Sequence, residues 1–438
     1  MFKLSPLSKM VKLSLVSGLA LTAASTSAFA EEGDKVENVE RIAVVGSRAA
    51  PRSVNDSPVP IDIIGGDELG RNGATDMLDM LASTVPSFNV RAQPISDAAT
   101  LIRPVNLRGL PSDSTLLLLN GKRRHRASVI AFQGGGVNDG AQGPDISVIP
   151  SVALQQVEVL RDGAAAQYGS DAIAGVMNFV LKDDSEGGSI SVKTGEYYEG
   201  DGAATIIDGN IGLPLTENGF INASFQLKNA DATSRSVQRP DAAAIKAAGN
   251  TSIEDPAQIW GNPEIKDDYT IFVNSGIDLD ENTKVYAFGN VSSRDVTGGF
   301  YYRNPHNRGN VFSVDGGETL LVGAVNGDQS SCATVPANVG NVLSTPEYAA
   351  MLADPNCFSM NQLKPGGYTP LFGGSIEDMS FAAGVKGEMS GWMYDVSAVM
   401  GNNKATFNLK NSLNPSLGLA SPTDFETGAY EQSETTVG

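Results

Sequence analysis

Apolar and polar residues alternate along the second half of the chain, beginning near residue 188. In 219–228 the apolar members of the alternation are Ile221, Ala223, Phe225 and Leu227. A period of two predicts β-strands that have one apolar and one polar face. The same alternation occurs in six further runs: 189–197, 203–213, 269–279, 284–294, 379–388 and 392–402. We therefore expect about seven antiparallel strands in residues 184–438.

The connections between these strands alternate in length. Those at 214–217, 280–283 and 388–391 are tight turns, whereas 231–267 and 299–376 are long. This alternation is typical of transmembrane barrels, in which periplasmic turns are short and outer loops are long. A soluble sandwich shares the strand pattern, so the loops are the better discriminator. The connection at 199–202 is an outer loop that is unexpectedly short. Aromatic residues at strand ends favour an interfacial girdle over a stacking platform for a ligand: Tyr197, Tyr198, Phe300, Tyr301, Tyr302, Trp392 and Tyr394.

Residues 56–183 have a mixed pattern that predicts a small α+β domain. Strands are expected at Pro60–Ile64, Asn106–Leu110 and Thr115–Leu119, and Asn120-Gly121 suits a type I′ hairpin turn. Thr75 is the expected cap of a helix that ends by Pro86.

The stretch 149–182 is the most distinctive part of this domain. An apolar strand, Val157–Leu160, ends at the turn Arg161-Asp162-Gly163. A second turn, Tyr168-Gly169-Ser170, precedes the apolar run Val176–Leu181. Small residues between the two runs allow close backbone approach. The stretch has no nucleophile–base pair and no set of metal ligands. We therefore expect it to be a compact structural unit that packs inside the protein and has no chemical role.

The N-terminus predicts export. Lys3, Lys9 and Lys12 precede an apolar stretch at 13–24, and Ala28-Phe29-Ala30 is a small-residue cleavage motif. We expect a signal peptide over 1–30, cleaved after Ala30; an uncleaved helical anchor is the alternative. Residues 31–55 are then expected to form a flexible tail.

Charge and hydropathy exclude some function classes. The formal net charge is −19, and removal of the three lysines of the signal peptide makes it −22, with 28 basic against 50 acidic residues. Nucleic-acid binding requires a basic face and is not expected. No run after the signal reaches the roughly 18 apolar residues of a membrane helix, so a membrane role would require a β-barrel.

Sequence motifs for catalysis are missing. The chain has no Gly-Lys-Ser/Thr phosphate loop, Gly-x-Ser-x-Gly elbow or His-Glu-x-x-His, and its two histidines are too few for most histidine-based metal sites. We expect no enzyme, no cofactor and no metal. A basic run could attract an anionic ligand, although a solvated charge run is the alternative. The candidate ligand contacts are Arg123, Arg124, Arg126, Gly134 and Gly135.

The two cysteines, Cys332 and Cys357, lie in a polar segment. In an oxidising compartment we expect them to form a disulfide that ties one loop. Two unpaired thiols are the alternative.

Two blocks of sequence resemble the plug domain of TonB-dependent outer-membrane receptors. The first is Asn106-Leu107-Arg108-Gly109-Leu110 with 115–122, and the second is the stretch 149–182. The resemblance implies an α+β plug at 56–183, followed at 184–438 by an antiparallel transmembrane β-barrel. Plugged transporters have 22 strands. About seven cannot close around a plug, so we expect the chain to be a fragment.

The resemblance also implies roles for particular residues. The segment Arg41, Ile42, Ala43, Val44 and Val45 is similar to the TonB box, which adds as a strand to TonB, the protein that works with ExbB and ExbD. Arg108 and Arg161 are expected to pair with acidic residues of the barrel wall and to hold the plug. The expected form is a monomer in the outer-membrane lipid bilayer.

The function implied by the resemblance is energy-coupled uptake of a scarce solute, a small molecule or metal chelate. A ferric siderophore is the commonest substrate of the family, and a glycan, cobalamin or haem are alternatives. The alternative from another functional class is a receptor that senses its ligand and does not transport it.

Overall fold

The computed structural model describes residues 42–43, 52–53, 61–71, 73–91, 94–95, 97–132, 136–161 and 165–438. The expected signal peptide and its cleavage site at Ala30 lie outside these ranges, as do Gly134 and Gly135 of the candidate ligand contacts. In the N-terminal tail, the strands β1 (Ile42–Ala43) and β2 (Arg52–Ser53) form an antiparallel pair.

Residues 61–182, which we call the plug, form a mixed sheet with short helices. Its strands are β3 (Ile61–Gly65), β4 (Phe88–Val90), β5 (Val105–Leu107), β6 (Thr115–Leu119), β7 (Lys122–Arg123), β8 (Leu154–Leu160) and β9 (Gly175–Leu181). Its α-helices are α1 (Gly66–Arg71), α2 (Met77–Thr84) and α3 (Ala165–Tyr168). Five strands form one sheet in the order β3-β8-β9-β6-β7, in which only β6 and β9 are parallel, and β4 pairs with β5.

The stretch 149–182 supplies the middle of the plug sheet as β8, α3 and β9. Val157, Met177 and Phe179 are completely buried there, as expected for an apolar run in a central strand. Gly175 has a φ of 148°, and a Cβ at this position would lie 2.6 Å from the Leu160 carbonyl oxygen. Glycine is therefore required where β9 begins.

Two sequence expectations for the plug are corrected. Asp76, and not Thr75, caps α2, because its carboxylate accepts the Leu78 amide at 2.8 Å. The strand expected at Asn106–Leu110 ends at Leu107. Arg108 and Gly109 have φ of 56° and 75°, which turns the chain out of the sheet.

The remaining long strands form one antiparallel sheet, which we call the wall. They are β10 (Gly188–Gly195), β11 (Ala204–Thr216), β12 (Gly219–Ala230), β13 (Glu264–Asp280), β14 (Thr283–Gly299), β17 (Leu371–Met389), β18 (Trp392–Lys410) and β19 (Phe425–Val437). Neighbours in sequence are neighbours in the sheet, and the sheet is not closed. The wall has eight strands where seven were expected. β19 was missed because its sequence, FETGAYEQSETTV, has few apolar residues and no sustained alternation.

The connections of the wall differ at its two ends. Two-residue turns at 217–218, 281–282 and 390–391 lie at one end, and the longer connections 196–203, 231–263, 300–370 and 411–424 lie at the other. The long ones contain α4 (Pro240–Ala247), β15 (Gly323–Ala324), α5 (Pro346–Ala353) and β16 (Cys357–Phe358). A disulfide joins Cys332 to Cys357 beside a small core of its own that includes Val342 and Met351. We call the end with the long connections the outer end.

The two faces of the wall have opposite polarity. Buried polar side chains on the face toward the plug include Asn222, Asn274, Asn290, Asp378 and Asn403. The other face exposes apolar side chains, among them Ile190, Val273, Phe381, Val396 and Met400. In a soluble protein a sheet packs its apolar face against the core. Here the polar face is turned toward the plug and the apolar face is exposed, which fits a sheet whose outer face contacts lipid.

Some inward wall residues extend the plug core. Phe272, Tyr286, Phe288 and Ala382 belong to the same buried cluster as α2 and β9. Among the described residues, no helix has both the length and the apolar character needed to cross a bilayer.

Introducing a charged side chain on the outward face of the wall tests whether that face contacts lipid. We expect Phe381→Arg to destabilise the wall by about 2–4 kcal/mol, because Phe381 lies near the middle of β17 and arginine is costly there. The folded fraction in outer membranes, measured by heat-modified gel mobility, should fall. Val325→Arg in the outer connection, where Val325 is 73% exposed, is the matched control. Equal yields of the two variants would contradict the assignment.

Candidate functional site

The plug meets the wall in a seam of buried polar contacts, and Asp378 on β17 is its centre. The Asp378 carboxylate pairs with Arg124, and each side chain is at most 3% exposed. Arg124 also donates from Nη1 to Asn290 Oδ1 and to Ser380 Oγ, both at 2.7 Å. One plug arginine is thereby bound to two neighbouring wall strands.

The second oxygen of Asp378 receives two more donors. His125 Nε2 lies 2.9 Å from Oδ2, and Asn403 Nδ2 donates to it at 3.0 Å. A carboxylate only accepts hydrogen bonds, so His125 Nε2 is the donor in this contact. Asn403 Oδ1 accepts the amide and the hydroxyl of Ser128 at 2.8 and 2.9 Å. We call Arg124, His125, Asp378 and Asn403 the Asp378 cluster.

Local backbone geometry delivers these plug side chains to the wall. Asn120 and Gly121 have φ of 48° and 76°, and they turn β6 into β7, from which the chain runs to Arg124 and His125. Opposite the His125 ring lies Gly401 of β18. A Cβ on Gly401 would lie 2.2 Å from that ring, so glycine is required for the close approach.

Further charged contacts cross the seam. Arg294 on β14 donates to Asp145 Oδ2 at 2.6 Å and to the Leu101 carbonyl at 3.2 Å. Lys228 on β12 lies 3.6 Å from Asp76. Near the short turns, Asp395 of β18 pairs with Lys122 at 2.8 Å and accepts the Tyr286 hydroxyl at 2.6 Å.

Asp76 is held as a carboxylate. Burial acts to raise its pKa, but Arg103 at 2.9 Å, Lys228 and the Leu78 amide outweigh that effect and lower the pKa to about 2. Asp76 therefore caps α2 and pairs with the wall throughout the physiological pH range.

The structure places Arg108 and Arg161 inside the plug. Arg108 Nη1 donates to the Arg161 carbonyl at 2.7 Å, and Arg161 pairs with Asp62 on β3 at 2.5 Å. In the described residues these contacts stay within the plug, whereas Arg124 and Arg126 are plug arginines that bind acidic residues of the wall. The difference arises because β3, the neighbour of β8 in the plug sheet, carries the Asp62 carboxylate beside Arg161.

Of the candidate ligand contacts, Arg124 is 6% exposed and is bound to Asp378. Its expected role as a ligand contact stays a prediction. Arg123 pairs with Asp171 of the plug, and Arg126 pairs with Glu434 of β19 at 2.6 Å. Both border an open space of about 610 Å³.

Sequence reasoning missed the wall side of the seam. Asp378, Asn403 and Arg294 each occupy a buried, inward position of a wall strand. Nothing in the local sequence distinguishes them from other polar inward residues, such as Asn222 and Asn274. No group of three or more histidine, cysteine, aspartate or glutamate side chains able to hold a metal ion occurs in the described ranges.

A cavity of about 400 Å³ lies in the seam near its outer end. It is bounded by Asp76 and Arg103 of the plug, by Lys228 and Asp268 of the wall, and by Tyr197 in the connection after β10. We call it the seam cavity.

Comparison with known proteins identifies the inner domain. Residues 53–176 match the TonB-dependent Receptor Plug Domain. The chain is 26% identical over 207 residues to the ferric enterobactin receptor of Pseudomonas aeruginosa, an alignment that covers 47% of this chain and 27% of the relative. It is 23% identical over 448 residues to the rhizobactin receptor of Rhizobium meliloti, covering 92% and 55% of the two chains.

A solved structure shares the fold. A crystal structure of the Pseudomonas aeruginosa ferric enterobactin receptor, a mutant in complex with enterobactin, superposes with a TM-score of 0.50 at 17% identity. The superposition covers 85% of this chain and 45% of the other. In sequence and in structure alike, the chain spans about half the length, or less, of these proteins.

Proposed function

We propose that this chain, which carries the plug of a TonB-dependent outer-membrane receptor, serves the energy-coupled uptake of a scarce solute, with a ferric siderophore as the first candidate. The family is one of receptors and transporters and not of enzymes. The siderophore enters the proposal because the relatives are named as enterobactin and rhizobactin receptors.

The observation that carries the proposal is the polar seam between plug and wall. A domain held against a membrane sheet by hydrogen bonds and ion pairs in addition to apolar contacts can be released in steps at its polar groups, because each polar group can exchange its partner for water. A wholly apolar interface would lack such replacement partners. The seam thus suits a plug that must be displaced for a solute to pass.

The proposed handle is the segment Arg41, Ile42, Ala43, Val44 and Val45. Of this segment the structure describes Ile42 and Ala43, which form a short strand paired with Arg52 and Ser53. A two-stranded pair has an outer strand edge to which TonB can add by backbone hydrogen bonds. In this proposal the pull of TonB, powered through ExbB and ExbD, reaches the plug through 41–60.

A growth experiment tests the proposed solute. A strain that lacks the gene is grown under iron limitation with individual ferric siderophores and, separately, with different glycans as carbon source. Loss of growth on at least one siderophore, restored by the gene on a plasmid, is the expected result. Growth lost only on a glycan would overturn the siderophore assignment.

A further inference from the structure

Three consecutive residues, Asn304, Pro305 and His306, join the two longest connections of the outer end, and we call them the clasp. Asn304 Nδ2 donates to Asp241 Oδ2 at 3.0 Å, which binds the clasp to α4 in the connection 231–263. Asn304 Oδ1 accepts the His306 amide at 2.9 Å. Asn304 and His306 are each 6% exposed, so these polar groups are buried.

The clasp is also closely packed within its own connection. The Pro305 carbonyl accepts Asn361 Nδ2 at 3.0 Å, and Asn361 is 1% exposed. Arg303 and Tyr368 exchange backbone hydrogen bonds at 2.7 and 3.2 Å. A Cβ on Gly367 would lie 2.2 Å from the Arg303 carbonyl oxygen. Movement of the clasp would therefore disturb both long connections.

The His306 imidazole is buried with one of its nitrogens unpartnered. Nε2 has no hydrogen-bond partner among the described residues. The ring donates to the backbone carbonyl of Val339, and because Nε2 is unpartnered, Nδ1 is the donor in this contact. Val339 packs against the small core beside the disulfide. The uncharged ring thus fastens the clasp to that core.

A second proton on the His306 ring would be poorly accommodated. It would create a buried N–H at Nε2 without an acceptor and a buried positive charge without a counter-ion. No charged side chain of the described residues is a cause of the pKa shift of His306. The surrounding elements carry these charged residues: Arg303 and Arg308 beside the clasp, Asp241 on α4, Lys364 after Asn361, and Asp315 and Glu318 on the turn that meets the clasp at Gly317.

Burial lowers the pKa of His306 below its ordinary value of about 6.5, and the hydrogen bond to Val339 offsets only part of that effect. A histidine whose pKa is lowered by folding contributes stability that is complete above about pH 6.5 and is lost as the pH falls below it. The sign is therefore that acid weakens the attachment of the clasp to Val339.

The carboxylates around the clasp do not supply this response. Burial acts to raise the pKa of Asp241, but hydrogen bonds from Arg239 and Asn304 outweigh it and lower the pKa. Hydrogen bonds from Thr319 lower the pKa of Asp315. Both groups therefore stay ionised while His306 takes up a proton.

We propose that the clasp is an acid-sensitive device, in which the uncharged His306 ring holds the outer connections together at neutral pH and its protonation in mildly acidic medium releases them. The clasp then separates from Val339 and the small core, and the outer end opens. That this opening regulates solute uptake rests on the proposed function; the opening itself does not.

Hydrogen exchange of the purified full chain in detergent tests the proposal. It is followed by mass spectrometry at about pH 7.5 and about pH 5.5, with correction for the pH dependence of the exchange chemistry. The amides of Arg303 and Tyr368 should lose about tenfold in protection at the lower pH, because a pH about one unit below the unfolded pKa shifts the opening equilibrium by that factor. The amides of β9 in the plug should keep their protection.

Two variants assign the response to one histidine. His306→Asn removes the titrating group and keeps a side-chain N–H close to the place of Nδ1, so protection in the outer connections should be equal at the two pH values. His125→Asn makes the same substitution at the other of the two histidines and is the matched control. It should keep the acid response of the outer connections.

A second measurement follows the wild-type ring itself, so the proposal stays testable if His306→Asn fails to fold. Exchange of the imidazole C2 hydrogen, measured on the peptide that contains His306, gives the pH at which the ring takes up its proton. The expected midpoint lies below about 6.5.

The proposal is overturned if that midpoint lies at or above about 6.5, or if wild-type protection at Arg303 and Tyr368 is the same at both pH values. An equal loss of protection in β9, or an acid response that remains in His306→Asn, would also overturn it. Solute uptake does not enter these measurements, so a failure of the proposed function would appear separately, in the growth experiment.

Discussion

Replacing Asp378 with alanine is expected to loosen the plug and to make the outer membrane permeable to large antibiotics. The substitution leaves the Arg124 guanidinium, which is at most 3% exposed, without its counter-charge. Removing one partner of a buried ion pair costs about 3–5 kcal/mol. His125 and Asn403 also lose the acceptor that they share. Proteolysis of the plug in purified protein and vancomycin sensitivity of the cells should both increase.

Two further variants distinguish the effect of leaving a buried charge unpaired from a general loss of stability. Glu434→Ala removes the partner of Arg126, which is 54% exposed, and a pair of that kind contributes only about 0–1 kcal/mol. Arg124→Met combined with Asp378→Asn removes both charges and should recover much of the loss. Protease resistance and antibiotic sensitivity that stay at wild-type levels in Asp378→Ala would contradict the role of the cluster.

Replacing Ala43 with proline is expected to abolish uptake while ligand binding is unchanged. Proline has no backbone N–H and cannot donate to a partner strand, so it blocks strand addition at 41–45. Residue 43 belongs to β1 and lies outside the plug sheet, so the plug should stay seated. Growth under iron limitation should fall to that of the deletion strain.

The matched control for this segment is Ile42→Val, which keeps both the N–H and a β-branched side chain. Its growth should equal that of the wild type. Uptake that persists in Ala43→Pro at the wild-type rate would show that the handle lies elsewhere in the chain.

Much of the wall could be predicted because alternation is a local signal. Each of the seven expected runs corresponds to a wall strand, although β13, β14, β17 and β18 extend several residues beyond the alternation. β19 carried too few apolar residues to be recognised. It is positioned by its ladder with β18, a contact that the local sequence does not encode.

The seam could not be predicted, because it joins residues that are far apart in sequence. Arg124 and Asp378 are 254 positions apart. From the sequence, Arg124 belonged to a basic run with an expected role in ligand contact. Arg161 was expected to pair with the wall, yet it pairs with Asp62 on the adjacent plug strand. The sequence motifs identified the plug domain correctly. Which acidic residue each plug arginine binds, however, depends on how the plug and the wall pack together.

The most direct test of the central claim is the initial rate of uptake of a radiolabelled ferric siderophore, chosen from the growth experiment, in cells with and without a proton uncoupler. We predict that cells carrying the wild-type gene bind the chelate in both conditions and accumulate it only when energised. We predict that cells with Ala43→Pro bind it and never accumulate it. Accumulation that continues at the same rate in uncoupled cells would contradict an energy-coupled plug.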